Sequence, residues 1–144
     1  MSHRIIRDVI GDRKALTTSS QTTIADAARL MKAHAVGALL VVDDGRVVGI
    51  FTERDVLFRV VAASKDPKTT RVAAAMTKKP RTIGPDRPLG HALHLMYEGG
   101  FRHVPVVENG HPIGMVSARD MLGPELAQFQ SELSDREHIG EILG

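Results

Sequence analysis

The tetrapeptides Thr52-Glu53-Arg54-Asp55 and Ser117-Ala118-Arg119-Asp120 each place a hydroxyl three residues ahead of a carboxylate, with Arg directly before the acid. That spacing suits a helix start. The hydroxyl accepts from the backbone N–H three residues on, and the acid reaches back to the N–H of the capping residue. An apolar run precedes each, Val47–Phe51 and Pro112–Val116, and a short apolar stretch follows. The same groups could form two halves of a binding site, and the tetrapeptides alone leave both uses open.

What surrounds them is repeated. Sliding the sequence by 117 − 52 = 65 positions lays residues 24–57 over residues 89–122 without a gap. Identical pairs include Ala27/Ala92, Leu30/Leu95, Met31/Met96, Val41/Val106, Val42/Val107, Gly45/Gly110, Gly49/Gly114, Arg54/Arg119, Asp55/Asp120 and Leu57/Leu122. The chain is a tandem duplication, with the hydroxyl and the acid at the same place in both copies.

Each copy predicts the same elements. Ile24, Ala27, Ala28, Met31 and Ala35 fall at helical spacing, as do Leu89, Ala92, Leu93, Met96 and Gly100, so these residues are expected to face a core. Thr22 or Thr23 can cap the first helix, and Asp86 with Pro88 can open its counterpart. A strand follows at 38–42 or 103–107, then a turn carrying Asp44-Gly45 or Asn109-Gly110, then a second strand at 47–51 or 112–116. The Thr or Ser then opens a second helix. Leu16-Thr17-Thr18 and Arg81-Thr82-Ile83 read as short extra strands. One β-α-β-β-α unit cannot bury both faces of its small sheet, but two packed together can. The expected fold class is α/β (α+β): two pseudo-symmetric units packed sheet to sheet, plus a C-terminal helix. The division along the chain is 1–66, 67–123 and a helical extension at 124–144.

Composition narrows the chemistry. Aromatic residues make up 3% of the 144 positions, with no Trp, which argues against base stacking on single-stranded nucleic acid. The net charge of +2 is spread along the chain, and the densest basic stretch, Lys78-Lys79-Pro80-Arg81, reads as a solvated loop. With no Cys there is neither a disulfide nor a thiolate metal site. No apolar run reaches the ~18–20 residues of a membrane span, and the first residues lack a signal-peptide core. A cytoplasmic location is expected. His91 and His94 share a helix face, but no third ligand cluster accompanies them, so no metal is expected. No phosphate-binding glycine loop or placed nucleophile–base pair is legible, so the chain does not read as an enzyme.

The repeated pattern, with "VAAAMTKKPRTIGPDRPL" (72–89), "FRHVPVV" (101–107) and "GMVSARDML" (114–122), resembles the cystathionine β-synthase (CBS) domain, and two in tandem resemble a CBS pair or Bateman module. The resemblance covers about residues 8–123. It implies a regulatory module binding adenosine compounds in the cleft between repeats: AMP first, with ADP, ATP, NAD or S-adenosylmethionine as alternatives. It places Asp55 and Asp120 on ribose hydroxyls. Thr52 and Ser117 fall on ribose or phosphate, with Arg54 and Arg119 nearby. A carboxylate has two acceptor oxygens for the two donors of a vicinal diol. The adenine slot maps to Thr82, Ile83, Val104 and Pro105 in the second unit, and to Thr17, Thr18, Ala38 and Leu39 in the first. Arg102 and His103 take the place of a basic pair facing phosphates, where the first unit has Gly37 and Ala38. The first unit also has Leu40 opposite Pro105 and lacks the Met-Thr lead-in, so the two sites are expected to be unequal.

Beyond the second unit, Leu122, Leu126, Phe129 and Leu133 follow 4-3-4 spacing, and Ser134 with Glu137 marks a further helix start before Ile139, Ile142 and Leu143. These apolar residues are expected to pack across a homodimer. Two functions of different class follow: an adenine-nucleotide sensor acting on an unknown protein target, or a ligand-independent dimeric scaffold whose caps are only caps.

Overall fold

Local chemistry makes the hairpins. In a computed structural model describing residues 4–123 and 131–135, strands β2 (Ala38–Asp43) and β3 (Arg46–Thr52) pair antiparallel, as do β5 (His103–Glu108) and β6 (His111–Ser117). Two-residue loops join them. Asp44 and Gly45 have φ of 52° and 77°, and Asn109 and Gly110 have φ of 54° and 81°. Two successive positive φ values match the right-handed twist of the strands, which is why Asp-Gly and Asn-Gly stand there. Both hairpins carry a register shift at the same place, Val41/Val42 and Val106/Val107, so the duplication extends to the irregularity.

Helix α2 (Ile24–His34) starts at Thr23, whose side chain accepts from the Asp26 N–H, and ends at Ala35 in the left-handed region. Its counterpart α4 (Leu89–Gly99) ends at Gly100, also left-handed. Some sequence expectations fail at these helices. Asp86 does not cap α4; Pro88 stands at the cap without a side-chain bond, and Asp86 pairs with Arg7 at 3.1 Å instead. Leu93, expected in the core, is half-exposed while Leu95 is buried, and Ala35 and Gly100 are exposed because each is the left-handed cap that ends its helix. The buried stripe runs through Leu89, Ala92, Leu95 and Met96, on the side of the helix where the core lies.

The minor strands divide unequally. β1 (Thr17–Thr18) pairs parallel with β2. In the second unit, Ile83 makes only a bridge to Val106 rather than the expected strand. β4 (Thr77–Lys78) joins the free edge of β3, an element the sequence pattern did not predict.

The cores do not follow the order of the chain. Helix α1 (Ile6–Ile10) buries Ile6 and Ile10 among Ile83, Leu89, Ala92, Met96, Val104 and Val116, the core of the second unit. Residues Val72, Ala75 and Met76 lie among Ile24, Ala27, Met31, Leu39 and Phe51, the core of the first. The two lead-in segments dock alike: Ile5 bridges to Pro88, and Arg71 bridges to Thr23. Each lays a side chain on a β-strand glycine. A Cβ on Gly49 would meet the Met76 sulfur at 2.5 Å, and one on Gly114 would meet Cδ1 of Ile10 at 2.9 Å. Glycine therefore stands at both sites because another segment occupies the space of a side chain.

The opposite faces of the sheets meet. Ala38, Leu40, Ile50 and Pro105 are buried outside both helix-side cores, and β3 lies against β6. The hairpin tips also touch, with Nδ1 of His111 at 2.9 Å from the Gly45 carbonyl. Each sheet is thus covered by helices on one face and by the other unit on the other. Of the C-terminal extension, residues 131–135 are helical, so Ser134 lies inside a helix. Leu126, Phe129, Glu137, Ile139, Ile142 and Leu143 lie outside the described residues.

Candidate functional site

Strand pairing brings the hydroxyls to the ends of the hairpins. Ala38 is opposite Thr52, and His103 is opposite Ser117. Past each hydroxyl the chain turns sharply: Glu53–Asp55 is a helical turn (α3) continued by wider π-helical turns at Val56–Val61, and Ala118–Met121 is a single 3₁₀ turn. The second helix of each unit is therefore shorter or wider than a regular α-helix. The turns are tied back alike, Glu53 N–H donating to the Gly37 carbonyl and Ala118 N–H to that of Arg102.

Both acids serve as caps. Asp55 Oδ2 accepts from the Thr52 N–H at 2.9 Å and the Thr52 hydroxyl at 3.2 Å, while Thr52 Oγ1 accepts from the Asp55 N–H at 3.3 Å. Asp55 is buried, and its Oδ1 faces Arg59 Nε at 3.5 Å. Arg59 also donates to the carbonyls of Ala75 and Met76, joining the acid to the segment docked on the first core. Asp120 Oδ2 accepts from the Ser117 N–H at 2.8 Å. Its partner differs in kind. The Arg13 guanidinium grips both oxygens, Nη1 to Oδ1 at 3.0 Å and Nη2 to Oδ2 at 3.1 Å. Such a fork-on-carboxylate pair is charge-assisted and geometrically specific. Arg4 completes this end by donating to the Asp120 carbonyl at 3.1 Å.

The remaining predicted residues fall into two groups. Ala38, His103 and Pro105 lie with Thr52 and Ser117 on the faces where the units meet, since alternate strand residues share a face. Leu39, Val104 and Ile83 do not; their side chains are buried in the helix-side cores, one position out of phase. They can offer only backbone, and both backbone groups of Ile83 already bond to β5. Thr17 and Thr18 sit on the edge strand β1, the Thr18 hydroxyl donating to Oγ1 of Thr22, and Thr82 is exposed. Arg54 stacks over Phe58 with its guanidinium carbon 5.3 Å from the ring centre, and Arg102 is exposed. His103 is held below the ordinary imidazole range by burial and by Arg102, against the pull of Glu53 and Asp120.

Two clefts adjoin these groups. One of about 310 Å³ is lined by Arg4, Asp8, Val9, Arg119, Asp120 and Gly123. The other, about 470 Å³, lies between Lys14, Ala15 and Thr17 on one side and Pro112, Ile113 and Gly114 on the other. Both fall in the size range of small-molecule sites, ~300–1,000 Å³. Sequence reasoning missed Arg4, Arg13, Lys14 and Arg59. The one available signal was the pair of cations at Arg13-Lys14 just ahead of the predicted strand Leu16–Thr18; the Asp120 partner of Arg13 is distant in sequence. Among the described residues, no group of three or more His, Asp or Glu is placed to hold a metal, and no helix is long and apolar enough to cross a membrane.

Duplicated hairpins, exchanged lead-in segments and paired caps define a two-unit fold, and comparison assigns it to a family. The sequence matches the CBS domain family twice, over residues 6–62 and 72–123, and the chain belongs to that family as a tandem pair. It is 41% identical over 114 residues to a 17.7 kDa protein of Acidianus ambivalens, covering 78% of this chain and 68% of that one. It is 38% identical over 131 residues to the CBS domain-containing protein CBSCBSPB5 of Arabidopsis thaliana, covering 90% of this chain but 24% of that one. The chain thus spans about a quarter of the length of such plant relatives. Among solved structures it is similar to a CBS-domain protein of Agrobacterium tumefaciens, at 34% identity and TM-score 0.76, covering 83% of this chain and 97% of that one. It is also similar to a CBS domain protein of Pyrobaculum aerophilum complexed with AMP, at 26% identity and TM-score 0.77, covering 87% and 99%. A third, the CBS domain pair of MJ0100, holds 5′-methylthioadenosine and S-adenosylmethionine, at 27% identity and TM-score 0.75, covering 82% and 96%.

Proposed function

We propose that this chain is a non-catalytic regulatory module that binds an adenosine-containing ligand at the face between its two units and signals its occupancy to another protein. The observation that carries this reading is the repeated placement of a carboxylate and a hydroxyl at the ends of both hairpins; a cleft lined by α1 and the turn after β6 opens beside Asp120. The carboxylate would accept from the ribose hydroxyls, and the cations around the cleft, Arg4 and Arg119, would attract phosphate. AMP is the first candidate, with ATP, NAD and S-adenosylmethionine next; the AMP and S-adenosylmethionine complexes of similar folds support an adenosine-containing ligand without ranking these compounds. Signalling requires only that the ligand bind one arrangement of the units better than another.

The test is calorimetric titration of nucleotide-free protein with these four ligands, alongside Asp55→Ala and Asp120→Ala. Saturable binding lost in one variant makes that acid the ribose clamp. Failure of all four to bind folded protein at millimolar concentration overturns the reading.

A dimeric scaffold is the second reading. It is favoured by one observation: both carboxylates are already satisfied as caps within the chain. In either reading a homodimer would cover Leu57, Phe58 and Val61 of the first unit and Leu93, Tyr97 and Leu122 of the second, all exposed in the single chain. Sedimentation equilibrium of Phe58→Asp beside the parent chain tests this. A parent that is already monomeric refutes the dimer.

A further inference from the structure

The two acids are equivalent by sequence and unequal by structure. Asp55 faces one guanidinium nitrogen, Nε of Arg59, at 3.5 Å, and Nη1 of that guanidinium donates to the carbonyls of Ala75 and Met76. Asp120 has both oxygens covered by the Arg13 fork. The contact spans 107 residues and the two units: Arg13 lies in the connection from α1, which packs on the second core, to β1 of the first sheet. The Arg13 side chain is half-exposed and that of Asp120 is 13% exposed, so the guanidinium shields the carboxylate from solvent; Nη2 also makes a long bond of 3.5 Å to the Met115 carbonyl. The backbone of Arg13 is fixed by its N–H donating to the Ile10 carbonyl. A displaced guanidinium therefore stays within one side-chain length of the acid.

A diol arriving at Asp120 must take acceptor sites that Arg13 now holds. A neutral nucleoside offers nothing to the displaced cation. A ligand with a phosphate beyond its ribose offers a bidentate partner for the same fork. We infer that Arg13 sets the ligand specificity of the Asp120 site, competing with the ribose diol for the carboxylate and so selecting phosphorylated ligands over neutral ones. This rests on the nucleotide-binding reading above and adds to it a tethered competitor in one unit only. The Asp55 site, without a fork, carries no such selection.

The experiment uses the full chain with Asp55→Ala to silence the first site, and measures adenosine and AMP binding by calorimetry with and without Arg13→Gln. A half-exposed ion pair is worth little, so removing it should tighten adenosine by roughly two- to fivefold while AMP gains nothing or weakens. Arg13→Lys, which keeps the charge and loses the fork, should fall between. Raising the salt concentration should tighten adenosine binding to the Arg13 protein and leave the Gln variant unchanged, because screening weakens only the competitor. Circular dichroism confirms that each variant is folded. If adenosine binds the Gln variant no better, while AMP binding still depends on Asp120, this inference is overturned and the site reading stands. If neither compound binds with either residue at position 13, both fall.

Discussion

Ile6 is the most direct probe of the exchanged cores. By chain position it belongs with the first repeat, yet it is fully buried in the core of the second. Ile6→Ala removes three carbons from that core, and large-to-small changes of this kind cost about 2–5 kcal/mol once the cavity is included. The high end is not expected, because α1 is a five-residue helix at the edge of the core and can settle inward. About 3 kcal/mol is the working figure, which at roughly 3–4 °C per kcal/mol for a chain of this size lowers Tm by ~10 °C. Ile5, its neighbour, is 40% exposed and serves as the control; Ile5→Ala should change stability by no more than about 0.5 kcal/mol. The assay is urea unfolding followed by circular dichroism at a fixed protein concentration, since dimer formation would make the midpoint concentration-dependent. If the two variants are equally mild, α1 does not complete the second core, and the exchange of lead-in segments is wrong.

Further expectations follow from single contacts. Gly49→Ala should destabilise by about 1–3 kcal/mol, because the new methyl meets the Met76 sulfur at 2.5 Å and the Thr77 carbonyl at 3.0 Å. Adding Met76→Ala should recover part of that loss in a double-mutant cycle, and strict additivity would disprove the contact. Thr52→Ala should cost about 1 kcal/mol through the lost bond to the Asp55 N–H, read as a shift in the urea midpoint. His103 is held below its unfolded value mainly by burial, so the unfolded chain takes up a proton first as pH falls. Its charging therefore leaves stability untouched above about pH 6.5 and lowers it progressively below that. The fall in Tm between neutral and mildly acidic pH should be shallower in His103→Gln, and an identical profile would remove His103 as its cause.

Much of this molecule was legible because its signals are local. The duplication, the two hairpins and the caps depend on residues within a few positions of one another. Asp-Gly and Asn-Gly permit the two positive φ values of their turns, the Thr52 hydroxyl reaches the Asp55 N–H, and the Asp55 and Asp120 carboxylates reach back to the N–H groups of Thr52 and Ser117. Alternation along β2 and β5 separates Leu39 from Ala38 in the first unit and Val104 from Pro105 in the second, since successive strand residues face opposite ways. Helix α4 was harder. Leu93 and Leu95 flank the same stripe, and only the position of the sheet decides which is buried.

The repeat, its elements and the chemistry available at Thr52, Asp55, Ser117 and Asp120 follow from the order of residues alone. Tertiary structure decided which core each lead-in segment completes, because α1 and residues 72–76 are too short to show which apolar surface they cover. It also decided what each acid holds. Arg13 and Asp120 stand 107 residues apart, and only the packing of two units brings a guanidinium from one connection onto a carboxylate at the end of another strand. Equivalent motifs acquire different partners because a cap is set by its own few residues, whereas an ion pair is set by whatever the fold carries past it.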